Sequence, residues 1–358
     1  MSCSPRLKTW RTHSCVPRSH SCERLVRHAA IGVSVLLVLS PLLPAQDLRV
    51  RVPVRLVIAP TSVTDHGRFV NGLTAADFTL FDNNIPQKIY EDADFLPISL
   101  AVAIQTNLTV EAIQPRIQEL GPLLGTLVVG EGWEAAILTF DQRVHLVQGF
   151  SSDLGRITQT LRHIEFSYSS SHLIDAALEA IHLLKQRPEG RRRILLLISE
   201  TRDQGSESKL RDVVSEAELN NILIYSLDIS RAHAVKQIFL PASGGPVGTA
   251  LSLDILALIK EIYNDSKNLV IENPLSVLTR YSGGEQYPFL KRHSLEEAVL
   301  KIGKEIHGQY LLSYTPSQAS EGGYHSIRVA LSRPGMEVRS RPGYWVTTED
   351  SAADTAAH

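Results

Sequence analysis

Four short, almost unbroken apolar runs constrain this 358-residue chain more than any other feature of it. SLAVAI (Ser99 to Ile104), AAILTF (Ala135 to Phe140), ILLLIS (Ile194 to Ser199) and ILIYSLDI (Ile222 to Ile229) lack polar alternation, so each reads as a strand buried on both faces. Between and around them the spacing turns helical, over Val110 to Leu124, Asp153 to Ile164, Leu173 to Lys185 and Leu210 to Asn220. Strands and helices that alternate this way need crossover connections. They predict an α/β domain over residues 97–306 with a Rossmann-like, doubly wound, mainly parallel sheet. Ligands of such sheets bind at the rim formed by the carboxyl ends of the strands.

On both sides of this region the period changes to two. LRVRVPVRLVI (Leu48 to Ile58) alternates apolar with mostly basic residues, and Pro53 points to an edge strand. Turn signals at Asp65-His66-Gly67, Asn71-Gly72 and Asp82-Asn83-Asn84 separate short strands around Phe78, Leu80, Ile85 and Ile89. Near the other end, Gly283-Gly284 introduces a strand over Glu285 to Phe289. Ser294 and Glu297 form a capping box for a helix over Leu295 to Ile306. From Gly308 onward QYLLSY, HSIRVAL and MEVRSRPGYW return to strand. Residues 48–95 and 307–347 are expected to make one small β-sandwich-like domain from both chain ends, with the α/β domain inserted between them. Residues 231–252, rich in Gly and Pro, read as a loop or insertion. A helix over Asp254 to Asp265 and an extended or helical stretch at about Val270 to Tyr281 follow, and the tail 348–358 reads as disordered.

Charge matters mainly in residues 1–45. Arg6, Lys8, Arg11, Arg18, Arg24 and Arg27 face the single acid Glu23 and precede AAIGVSVLLVLSPLL and Leu43-Pro44-Ala45, the pattern of a secretory signal ending near Ala45. A retained membrane anchor is the alternative, but Pro41 interrupts the run and it falls short of the roughly 18 apolar residues of a span. Cleavage removes all three cysteines, so export here implies no disulfide scaffold. It also removes six of the 36 basic and one of the 38 acidic residues, leaving a net charge of −7. Nucleic acid is therefore an unattractive partner. The expected location is the periplasm, cell envelope or extracellular space, with the membrane met only through the export signal.

Three loops meet at the predicted rim: QTNLT after the first buried run, SYSSSHLIDA before the helix at Leu173, and SETRD after ILLLIS. With NGLTAADFTLFDNNIPQKI, AILTFDQRVHLVQGFSSD, IDAALEAI, YSGGEQYPF, HGQYLLSYTP and RPGYW in the same order, the chain over residues 48 to 347 resembles the von Willebrand factor type A domain family. The likeness is closest to its divergent bacterial group. The resemblance implies a metal-ion-dependent adhesion site, in which a D-x-S-x-S loop, a Thr and an Asp give oxygen ligands to a hard cation. Its positions fall on Gln105, Asn107, Thr109, Ser171 and Glu200, and every one departs from the pattern. Gln105 removes a carboxylate, a loss worth about 4 kcal/mol per unit charge at 4 Å and an effective dielectric near 20. Asp203 is a further acid nearby. The expectation is a degenerate site with no cofactor, or with weakly bound Mg²⁺ or Ca²⁺. The implied partner-binding rim consists of Asn107, Thr109, Ser171, His172, Glu200 and Asp203.

The same residues have a structural explanation, since Thr109 before VEAIQPRI and Ser171 before LIDAALEAI suit helix N-caps. A hydrolase on the same sheet is the rival reading, with His172 beside Ser169-Ser170-Ser171 its best arrangement. No G-x-S-x-G or H-E-x-x-H supports it. Arg191-Arg192-Arg193 reads as a solvated strand approach, and Tyr310, Tyr314, Tyr344 and Trp345 as β-domain core. The sequence thus points to an exported, non-enzymatic binding or scaffold protein contacting an unidentified protein, or to a structural subunit of an envelope complex.

Overall fold

The computed structural model describes residues 56–91, 96–127, 132–188, 190–230, 273–288, 292–317 and 322–346, all within one compact unit. The export signal expected at 1–45, the loop or insertion expected at 231–252, the helix expected at Asp254 to Asp265 and the tail 348–358 lie outside the described residues. The strands are β1 (Val57–Asp65), β2 (Arg68–Phe69), β3 (Phe78–Asp82), β4 (Ile85–Gln87), β5 (Ile89–Glu91), β6 (Ile98–Gln105), β7 (Glu134–Phe140), β8 (Val144–Ser151), β9 (Arg192–Ser199), β10 (Ile222–Asp228), β11 (Gln286–Pro288), β12 (Tyr310–Tyr314), β13 (Gly323–Leu331), β14 (Glu337–Ser340) and β15 (Gly343–Val346). The helices are α1 (Gln114–Leu127), α2 (Leu154–Arg162), α3 (Leu173–Lys185), α4 (Leu210–Leu219), α5 (Pro274–Ser282) and α6 (Arg292–Gly308).

The four apolar runs are β6, β7, β9 and β10, and they lie parallel in a six-stranded sheet ordered β11-β10-β9-β6-β7-β8. The first of them, β6, sits between the second, β7, and the third, β9, so the winding reverses between β6 and β9. Only β8 runs antiparallel, at the edge beyond β7. Along β6 the faces alternate. Leu100, Val102 and Ile104 join the cluster built with α1, α2 and α6, while Ala101 and Ala103 pack with Ala176, Ala177 and Ala180 of α3 in the cluster shared with α4 and α5.

Both remaining sheets draw strands from both ends of the chain, in the orders β14-β1-β12-β5 and β15-β13-β3-β4, and share one apolar cluster that includes Val57, Leu80, Tyr314 and Tyr344. Their hairpins turn where the sequence signals it. His66 and Gly67 take φ of 49° and 75°, and Asn83 and Asn84 take 47° and 65°, the paired positive values of a type I′ turn. Pro53, from which an edge strand was inferred, lies outside the described residues; the described strand begins at Val57 and is an inner one, with β12 and β14 on its two sides. Ser294 is no N-cap, because α6 starts two residues earlier at Arg292.

The arginine run is not solvated either. Arg191 donates to Ser99 Oγ and to the carbonyls of Ile98 and Gly132; Arg192 donates to the Ile306 carbonyl and to Gln309; Arg193 donates to the Asn220 and Arg187 carbonyls. Oxygens left exposed where strands and helices begin and end absorb the whole run.

Glu305 of α6, 0% exposed, joins the α/β sheet to the strands from the chain ends. It accepts from Arg339 of β14, from Tyr225 Oη of β10 (3.1 Å) and from Tyr287 Oη of β11 (2.9 Å). Burial, with Glu305 alongside, raises both tyrosine hydroxyls, so they remain donors. Arg339→Met should destabilise the protein by about 3 kcal/mol in a denaturant melt, because it strands a buried carboxylate. Adding Glu305→Met should recover much of that loss. Additive losses would mean that the pair is not coupled.

Candidate functional site

At the carboxyl end of β6, the fully buried Gln105 is oriented by its neighbours. Its Oε1 accepts from the Glu200 backbone N–H (2.8 Å) and lies 2.8 Å from Ser199 Oγ. A backbone N–H only donates, so the atom facing it is the oxygen. The amide nitrogen must therefore face the other way, toward Asn107 Oδ1 at 2.9 Å and Glu200 Oε2 at 3.3 Å. Gln105, Asn107 and Glu200 thus meet as the sequence suggested, but around a donor. Asn107 precedes the 3-10 turn Leu108–Ile113, so Thr109 lies inside that turn and is not its cap.

The loop before α3 crosses this strand end. The Gln204 N–H donates to the Ser171 carbonyl, and the next residue's N–H, on His172, donates to the Asp141 carbonyl. These contacts carry the loop from the end of β9 to the end of β7, over β6 between them. Ser171 is buried, its hydroxyl has no partner among the described residues, and His172 takes the N-cap position, so Ser171 is not the cap of α3. The capping comes from the loop after β9. Asp203 Oδ1 accepts from Ile174 N (3.2 Å), and Ser206 Oγ accepts from Ile174 N and Asp175 N (both 3.1 Å). Asp203 is therefore spent on α3 and adds no charge beside Gln105.

Two residues missed in the sequence organise the outer rim. Asp141, just past β7, accepts from Ser167 Oγ, which lies 2.8 Å from Ser169 Oγ. The Ser167 N–H donates to the Thr106 carbonyl, and Ser167 and Asn107 form a parallel bridge. Between these anchored serines Tyr168 stands 93% exposed. A tyrosine flanked by serines in FSYSSSH was the available signal.

Ser170 Oγ lies 3.2 Å from His172 Nε2, and His172 Nδ1 lies 3.5 Å from Asp175 Oδ2. This has the outline of a nucleophile, base and orienting acid. However, 3.5 Å is too long for a strong hydrogen bond, and Asp175 already accepts from the Glu207 and Ser208 N–H groups (3.1 and 2.8 Å). The Ile174 and Asp175 N–H groups that could stabilise an oxyanion at the start of α3 are taken by Asp203 and Ser206.

Burial works to raise the carboxyls of Asp141 and Asp175, but their hydrogen bonds outweigh it and hold both below the ordinary value of 3.8. The donors are Ser167, Arg143 N–H and Ser169 for Asp141, and Ser208 and Glu207 for Asp175. A lowered carboxyl stabilises the fold above the unfolded value and loses that contribution as pH falls through the lower, folded one. Rim stability should therefore fade on acidification below about pH 4. Thermal melts across that range should show a flatter acid limb for Asp141→Asn and Asp175→Asn than for the unmodified chain.

No protein-family model and no curated protein matches the chain. Solved structures similar to it include an aerotolerance-related membrane protein from Bacteroides fragilis, 15% identical with a TM-score of 0.41, covering 58% of this chain and 98% of that one. Others are the conserved hypothetical protein BatB from Bacteroides thetaiotaomicron (12%, 0.36, 58% and 98%) and the SpRpn10 VWA domain (11%, 0.37, 58% and 97%). Likeness at this level says nothing of activity or partners. With its central β6, its winding reversal between β6 and β9 and its antiparallel edge strand β8, the α/β region has the Rossmann-like, doubly wound, mainly parallel sheet expected from the sequence.

Proposed function

We propose that this chain is an exported, non-enzymatic protein-binding or scaffold protein of the periplasm, cell envelope or extracellular space. It contacts its partner through the rim around Asn107, Thr109, Ser171, His172, Glu200 and Asp203, with little or no dependence on Mg²⁺ or Ca²⁺. The observation that carries this reading is Tyr168, almost fully exposed between Ser167, whose hydroxyl and N–H donate to Asp141 and the Thr106 carbonyl, and Ser169, whose hydroxyl meets that of Ser167. A rigid aromatic offers large contact area at low ordering cost, and such residues dominate binding energy at interfaces. No helix among the described residues is long and apolar enough to cross a membrane.

Affinity capture from an envelope fraction, followed by titration of the recovered partner, tests this. Tyr168→Ala should weaken binding about thirtyfold, near 2 kcal/mol, and a chelator should leave it unchanged. Binding that survives Tyr168→Ala intact would remove the rim from the interface. The arrangement of Ser170 and His172 favours a second reading, a hydrolase. A fluorophosphonate probe should leave Ser170 unlabelled; labelling that disappears in Ser170→Ala would replace the binding reading with the enzymatic one.

A further inference from the structure

The fold family implies a cation at the end of β6, and the residues found there do not fit one. A hard divalent cation takes about six or more oxygens. Gln105 turns its only side-chain oxygen to the Glu200 N–H and Ser199, while Asn107 Oδ1 and Glu200 Oε2 face its amide nitrogen. Asp203 points its oxygens at α3 and Ser206. The buried Ser171 hydroxyl, which has no hydrogen-bond partner among the described residues, is a single neutral oxygen and brings no charge for an ion.

We infer that the side-chain amide of Gln105 is a built-in stand-in for the cation, tying the loop after β6 to the loop after β9 by two N–H bonds. An N–H carries a partial positive charge and cannot diffuse away, so the rim holds one state at any ion concentration. A cation could enter only by turning the carboxamide, which would bring its nitrogen against the Glu200 N–H. The inference concerns the rim of the proposed binding role, but the amide's part is read from stability with no partner present.

The test is a set of thermal melts of the full chain in chelator and in millimolar Mg²⁺, Ca²⁺ or Mn²⁺. The unmodified protein should melt at the same temperature in all of them. Gln105→Glu keeps the shape but replaces the donor with a carboxylate facing Glu200, so it should melt several degrees lower in chelator and recover with a cation. Gln105→Met, which removes the amide without adding charge, should melt lower and stay insensitive to ions. A cation-stabilised unmodified protein, or a Gln105→Glu variant fully stable in chelator, would overturn the inference. If the variants do not fold, the Gln105 amide resonances of the unmodified chain decide. Slow solvent exchange and no broadening by Mn²⁺ support the inference, and broadening refutes it. Stability that ignores ions in a protein that captures no partner would sink the binding proposal and leave this inference standing.

Discussion

Every residue of β6 is shielded from water, and the arrangement of the α/β region follows from keeping it so. Leucine, valine and isoleucine fill the face toward α1 and α6, where long side chains are needed to reach across. Alanines on the opposite face meet alanines of α3, which lets the helix lie close to the sheet. A strand sealed on both sides must still satisfy the polar groups at its end. For β6 that end is Gln105, and its four partners come from the adjacent strand β9, the residue after it and the loop beginning at Asn107. The candidate site is thus the polar termination of the most buried strand.

Two buried carboxylates do comparable work in the strands from the chain ends. Asp82 of β3 accepts from Tyr314 (2.9 Å) and Tyr344 (2.8 Å) and lies 3.0 Å from His325 Nδ1. It thereby joins a strand from the first part of the chain to β12, β13 and β15. Burial, together with the other tyrosine and Asp82 in the case of Tyr314 and Asp82 in the case of Tyr344, pushes both phenols up and keeps them protonated. Glu305 does the same between α6, the α/β sheet and β14. A buried carboxylate is tolerated only with donors on it, so each fixes the geometry of the elements that supply those donors.

How much of this the sequence carries depends on whether the signal is local. The four sheet strands and α3 were legible because burial on both faces, or a helical stripe, is written into consecutive residues. The edge strand β8 was not. Its register against β7 shifts between Ala135 and Ile137 and again between Ile137 and Leu138, and such bulges erase the period of two. The arginine run misled because carbonyls distant in the chain absorb it. The capping of α3 by Asp203 and Ser206 is likewise invisible before folding, since the cap lies some thirty residues downstream. At the rim, the meeting of Gln105, Asn107 and Glu200 was legible by alignment to a known pattern. The direction of the Gln105 amide was not, because a backbone N–H from another strand sets it.

That direction decides what the rim can be. A carboxylate at position 105 would face the acid at Glu200 and need a positive charge between them, giving a surface whose state follows the ion concentration. A carboxamide supplies a donor on one side and an acceptor on the other, and the strand end, Asn107 and Glu200 consume both. Glu200 is then tied to Gln105 twice, its carboxylate accepting from the amide nitrogen and its N–H donating to the amide oxygen. Such a rim gains fixed geometry and loses the strong, directional pull of a metal on a partner's carboxylate. On the proposed binding role, affinity would then come from shape and apolar contact, for which Tyr168, held out between anchored serines, offers the largest exposed ring in those loops.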